Sequence, residues 1–113
     1  MIEQLFIYCY VRRMDTPPLD ADRATQLAET FHLLGDANRL RLIHACLDNA
    51  VSVQELAERL GLSASLTSHH LRLLRAARLM RAERNGRHVL YSAADDHVRR
   101  VVRDMVEHVD EED

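Results

Sequence analysis

The sequence predicts a mainly α fold with a β-hairpin wing, dimeric through its N- and C-terminal helices. Three observations predict it. Gly61-Leu62-Ser63 makes a tight break between two short helical stripes, Asn85-Gly86 separates two segments of strand character, and the first and last helical stripes are apolar on one face only. A chain of 113 residues makes one domain, and one this short leaves such one-sided helices uncovered unless a second copy shares them.

Residues 1–18 form an N-terminal arm whose structure stays open, because Leu5-Phe6-Ile7-Tyr8-Cys9-Tyr10-Val11 suits a strand, a helix extension or a segment lying on a partner. Pro17 and Pro18 break the chain after it. Met14 is a second candidate start. The winged-helix and dimerisation domain then spans 19–113. Over 20–34, Ala24, Leu27, Ala28, Phe31 and Leu34 recur at helical spacing, with acids at the front where the helix dipole favours them. Gly35 closes this helix, Asp36 caps the next, and Leu40, Ile43, Cys46 and Leu47 form a second apolar stripe in which Cys46 reads as core.

Ser52-Val53-Gln54-Glu55 has capping-box form and opens a short helix that Gly61 ends. Ser63 caps another helix that runs to Ala77, and the two helices with their turn have the form of a helix-turn-helix. Residues 79–84 and 87–92 flank Asn85-Gly86, a dipeptide preferred where both central turn residues need positive φ, and read as a two-stranded hairpin. Asp95 or Asp96 opens a final helix with Val98, Val101, Val102, Met105 and Val109 on one face, before an acidic end at 110–113.

A formal charge of −3 weighs by itself against nucleic acid, but the distribution of that charge points the other way. Residues 63–92 hold six arginines against Glu83 alone, whereas residues 93–113 hold eight acids against three arginines. All fifteen basic residues are Arg; codon bias is the simpler reason, although Arg also suits bidentate phosphate and guanine contacts. Cys9 and Cys46 form no C-x-x-C, so neither a disulfide framework nor a thiolate metal site is expected, and a cytoplasmic location fits best. The apolar run 5–11 is too short to span a bilayer and lacks the flanks of a signal peptide, so no membrane partner is expected.

On a helix over 64–77, Leu66, His70, Leu73, Leu74 and Ala77 fall on one inward arc, which turns Ser65, Ser68, Arg72 and Arg75 outward. Small hydroxyls allow close approach to a major groove and Arg72 can reach base edges or phosphate; Ser63, Thr67 and His69 flank the set. A merely solvated face would carry the same residues. The hairpin tips the balance, because an Asn-Gly turn would set Arg84 opposite Arg87, and opposed like charges are relieved by an anion such as a DNA phosphate. Asn85 lies between them and His88 reads as an ordinary exposed histidine. Double-stranded DNA is the partner these residues suit, with no small organic substrate.

The last helix also carries Asp95-x-His97 and, further on, His108-x-x-Glu111. These are oxygen and imidazole donors of the kind Zn2+ accepts, with Co2+ or Ni2+ as alternatives. One helix cannot close such a site: eleven residues return to nearly the same face but separate the two histidines by roughly 16 Å. An antiparallel pair of these helices about a two-fold axis would bring Asp95 and His97 of one chain against the second pair of the other. Taken singly, Asp95 is also a helix cap, the histidines edge an interface, and Glu111 belongs to an acidic tail.

The segments Leu34-Gly-Asp-Ala-Asn-Arg-Leu-Arg-Leu42, Ser63-Ala-Ser-Leu-Thr-Ser-His-His-Leu71 and Asn85-Gly-Arg-His-Val-Leu-Tyr91, with Asp95, His97, His108 and Glu111, resemble the ArsR/SmtB family of metal-responsive winged helix-turn-helix repressors. The resemblance runs from Ala24 to Glu111. It implies a homodimer that binds inverted-repeat operator DNA when metal-free and dissociates when zinc or a similar divalent ion binds. A winged-helix regulator answering a non-metal or thiol-redox signal is the competing expectation. A zinc hydrolase ranks last, because no H-E-x-x-H is present and Glu111 would already serve as a ligand.

Overall fold

The computed structural model describes residues 16–111, so the expectations for the arm, Cys9 and Met14 lie outside the described residues, as do the last two acids. The chain folds as α1 (Ala21–Leu34), α2 (Ala37–Ala45), β1 (Val51–Ser52), α3 (Val53–Leu60), α4 (Ala64–Ala76), β2 (Met80–Asn85), β3 (His88–Ala93) and α5 (Asp96–Asp110). Each helix starts at a short polar side chain that accepts from a backbone N–H three residues on: Asp20 from Arg23, Asp36 from Arg39, Ser52 from Glu55, Ser63 from Leu66, and Asp95 from Val98. Such caps satisfy one of the donors left over at a helix start.

Two helix ends share one hydrogen-bonding pattern with different residues. At Gly61, φ is +67°, and the N–H groups of Gly61 and Leu62 donate to Glu58 and Ala57 carbonyls. Arg78 has φ +63°, and the N–H groups of Arg78 and Leu79 donate to Arg75 and Leu74 carbonyls. Both ends are Schellman turns, one with the residue that the left-handed conformation favours and one with a residue it strains.

The sheet is antiparallel in the order β1-β3-β2. Met80, Ala82, Val89, Tyr91 and Ala93 share its inner face through the pairs Met80↔Ala93, Ala82↔Tyr91 and Arg84↔Val89. Val51↔Tyr91 adds β1, a strand the sequence does not announce. The inner face closes over Leu42, Ile43, Cys46, Leu56, Leu71 and Leu74, so the core lies between the sheet and α2, α3 and α4.

The wing's register departs from the expectation. Asn85 pairs with His88, so Gly86 and Arg87 are the central turn residues. Gly86 has φ +63° and Arg87 does not share it. That sign pattern is the one a type II′ turn uses, with glycine first. Arg84 therefore faces Val89, and Arg84 and Arg87 are not opposed across the hairpin.

The α2 stripe is also displaced: Leu42, Ile43, Cys46 and Leu47 are buried while Leu40 is exposed. The end helices give the core little, Leu34 from α1 and Val102 from α5. Arg99 docks α5 by donating to the carbonyls of Leu47 and Ala93, and Arg103 pairs with Asp48 at 2.6 Å. Among the described residues no helix is long and apolar enough to cross a membrane.

Candidate functional site

The first candidate surface is α4 and the wing. The residues of α4 that pack inward are Thr67, His70, Leu71 and Leu74. This corrects the expected inward arc, which rotates by about one residue. Thr67 is 0% exposed and its hydroxyl donates to the Ser63 carbonyl at 2.8 Å, so it cannot reach DNA. Leu66, placed inward by periodicity, is exposed. Ser65, His69, Arg72 and Arg75 are exposed and Ser68 is partly so. Ser63 spends its hydroxyl on the cap at Leu66 N–H. Arg72 bends back to donate from Nε to the Ser68 carbonyl at 3.3 Å, leaving its terminal nitrogens free for other acceptors.

Arg84, Asn85 and Arg87 all lie exposed in the wing. Between the wing and α3 runs an open groove of about 400 Å³ that Ser52, Gln54, Ala64, Arg87 and His88 line. Gln54 is exposed in the first turn of α3 and sequence reasoning does not find it; its position two after the cap, ahead of the turn, is the available signal. A convex helix carrying hydroxyls and guanidinium groups beside a basic loop suits a major groove and its flanking phosphates.

The second candidate surface is α5. Asp95 sits outside the regular helix, with φ −160° and ψ −178°, and caps Val98 through Oδ1. His97 Nδ1 lies 3.8 Å from the same oxygen, and its side chain is 92% exposed. Asp95 and His97 thus stand side by side at the first turn of α5, near the roughly 3.3 Å that separates two donors of one tetrahedral zinc ion. His108 lies in the last turn of α5 and Glu111 is its C-cap, so these two donors lie at the opposite end of the helix. Among the described residues no three potential ligands converge within one chain. The donor set of two carboxylates and two imidazoles fits zinc, cobalt or nickel in kind, with half of it at each end of one helix.

Between these ends the apolar face of α5 continues that of α1. Phe31 is 52% exposed, Met105 55% and Val109 75%. Leu27, Phe31, Leu34, Val98 and Val101 line an apolar cavity of about 170 Å³ whose edge is His97. Large side chains contiguous over two helices are the kind of patch that marks a protein interface. Cys46, the free cysteine among the described residues, is buried, and burial pushes its thiol up to about 12 against the weaker pull of Arg59. It stays a protonated core residue.

This architecture has relatives among known proteins. A model of the bacterial regulatory protein arsR family matches residues 36–81, from the cap of α2 to the start of β2. The chain is 41% identical over 103 residues to a transcriptional repressor SmtB homolog of Synechocystis sp., covering 91% of this chain and 78% of that one. It is 40% identical over 89 residues to the HTH-type transcriptional regulator KmtR of Mycobacterium tuberculosis, covering 79% and 68%. Among solved structures it is similar to NolR from Sinorhizobium fredii, with a TM-score of 0.70, 27% identity and coverage of 82% and 96%.

Proposed function

Because the chain belongs to the ArsR/SmtB family of transcriptional repressors, we propose that it is a cytoplasmic homodimer that holds operator DNA when metal-free and lets go when zinc, or cobalt or nickel in its place, binds between the two α5 helices. The chain is a winged helix-turn-helix DNA-binding regulator and not an enzyme. The observation that carries the metal reading is the division of one donor set between the two ends of a helix whose apolar face is uncovered.

In this reading α1 and α5 of two chains pack along their exposed apolar faces, and the α5 pair runs antiparallel. Asp95 and His97 of one protomer then meet the partner's His108 and the partner's Glu111, which gives two equivalent four-donor sites. Asp95, whose Oδ1 accepts from Val98 N–H, would hold the ion through its carboxylate while capping the helix. A bound divalent cation supplies a cross-link that fixes the angle between subunits. The two α4 helices, with Ser65, Ser68, His69, Arg72 and Arg75, and the wing residues Arg84, Asn85 and Arg87 contact successive major grooves and the phosphates beside them. Coupling between the two surfaces is their differential affinity, typically about 1–3 kcal/mol.

The test is a titration of zinc, cobalt, nickel and cadmium into the protein bound to fluorescent operator DNA. Zinc releases the wild type, whereas His97→Ala binds the same DNA with unchanged affinity and stays bound. Zinc release of His97→Ala removes the proposed site, and no release of the wild type by any of the four ions favours the non-metal regulator. A thiol-redox version would act through Cys9, which lies outside the described residues, and not through Cys46, whose thiol is buried and held protonated.

A further inference from the structure

Arg39, near the start of α2, joins three parts of the molecule. Its backbone N–H donates to the Asp36 carboxylate at 3.0 Å, and its Nε donates to the Leu33 carbonyl in the last turn of α1 at 2.7 Å. Its Nη1 lies 3.3 Å from Nδ1 of His70, in the middle of α4. A guanidinium only donates, so His70 Nδ1 accepts and the ring proton belongs on Nε2. His70 is buried, one of two polar side chains in the core among the described residues. The motif around Arg39 carries the family resemblance, yet neither the DNA-facing set nor the metal set uses it.

Helix packing through Leu34, Leu42, Leu71 and Leu74 resists separation but sets direction weakly, because apolar burial is non-directional. A planar guanidinium that holds a carbonyl of one helix and an imidazole of another does set direction. The two helices so joined differ in role: α1 carries Leu27 and Phe31 of the uncovered apolar face, and α4 carries the DNA-facing side chains. We propose that Arg39 and His70 are a positioning pair that fixes the angle between α1 and α4, so that in a dimer the two α4 helices hold the spacing and rotation of successive major grooves. The inference rests on the dimeric DNA-binding reading above. Neither residue touches DNA in it; each acts through the helix it holds.

The test reads operator spacing, which a residue serving only the fold would not change. Inverted-repeat duplexes are selected from a random-sequence library with the wild-type protein. They are then remade with two base pairs inserted at the dyad, a shift of about 7 Å and 70°, and as isolated half-sites. Binding is followed by anisotropy in EDTA for the wild type, Arg39→Lys, His70→Leu and His70→Asn. The wild type loses about tenfold or more on insertion, the scale of losing one good half-site contact set.

Arg39→Lys and His70→Leu bind the isolated half-site like the wild type, bind the parent duplex more weakly, and lose less than about threefold on insertion. His70→Asn, whose Oδ1 can accept from Arg39, restores the spacing penalty. If Arg39→Lys and His70→Leu keep the wild-type penalty, the pair is overturned. A half-site affinity that falls in step with the parent duplex also overturns it, by marking a fold-wide defect. Should Arg39→Lys fail to fold, His70→Leu against His70→Asn decides the matter alone. Absence of any penalty in the wild type overturns the dimeric reading itself, and the pair with it.

Discussion

At the scale of single residues, Gly61 and Arg78 occupy the same position of the same helix-ending turn. Glycine meets no steric penalty in the left-handed conformation, whereas a side chain with a Cβ does. Arg78→Gly is therefore expected to raise stability by about 0.5–1 kcal/mol, read as a higher midpoint in urea with an unchanged slope. An unchanged or lower midpoint would mean that Arg78 makes compensating contacts. Residue identities are legible in the sequence where chemistry is local: Cys46 as core and Asp95 at the irregular start of its helix follow from neighbours a few positions away. Thr67 is not, because a threonine and a leucine one residue apart compete for the inward arc. The tertiary neighbours choose Thr67, whose hydroxyl is satisfied by the Ser63 carbonyl.

At the scale of elements, helix starts are readable and strand register is not. Asp20, Asp36, Ser52, Ser63 and Asp95 each lie where a short polar side chain precedes an apolar stripe, and each caps its helix. The short strand β1 exists only because Val51 and Ser52 meet Tyr91 and Leu90, which lie far along the sequence, and it has no periodicity of its own. The wing moves by one residue because Gly86 can open a type II′ turn as readily as it can close a type I′ turn. Asp95 carries two roles that substitution separates. Asp95→Ala removes the cap at Val98 and should cost about 1 kcal/mol of metal-free stability, while Asp95→Asn keeps the cap and His97→Ala, at an exposed ring, leaves it untouched. Thermal unfolding in EDTA checks this order, and zinc affinity measured on all three should fall together. Equal stability of Asp95→Ala and wild type would show that the cap bond is not formed in solution.

At the scale of the whole molecule, α1 and α5 stand without cover. Their outer faces hold Leu27, Phe31, Val101, Met105 and Val109, and among the described residues the fold has no element left to cover them. Met105→Glu would set a charge into a shared face, where burial without a partner is costly. It is expected to sediment as a monomer and to lose at least about tenfold in operator affinity, with far-UV circular dichroism unchanged; a dimer of wild-type affinity would move the interface elsewhere. The basic segment and the one-sided end helices make this architecture readable from sequence. The Arg39–His70 contact is not readable, since it joins positions 31 residues apart that share no local pattern.

Ser52 belongs to β1, paired with Leu90 of the wing strand, and it also caps α3, which leads directly into the turn before α4. No linker intervenes between the part shaped to enter a groove and the part shaped to ride its rim. The span between them is thus set by a strand pairing and a helix cap, a ruler built into the fold.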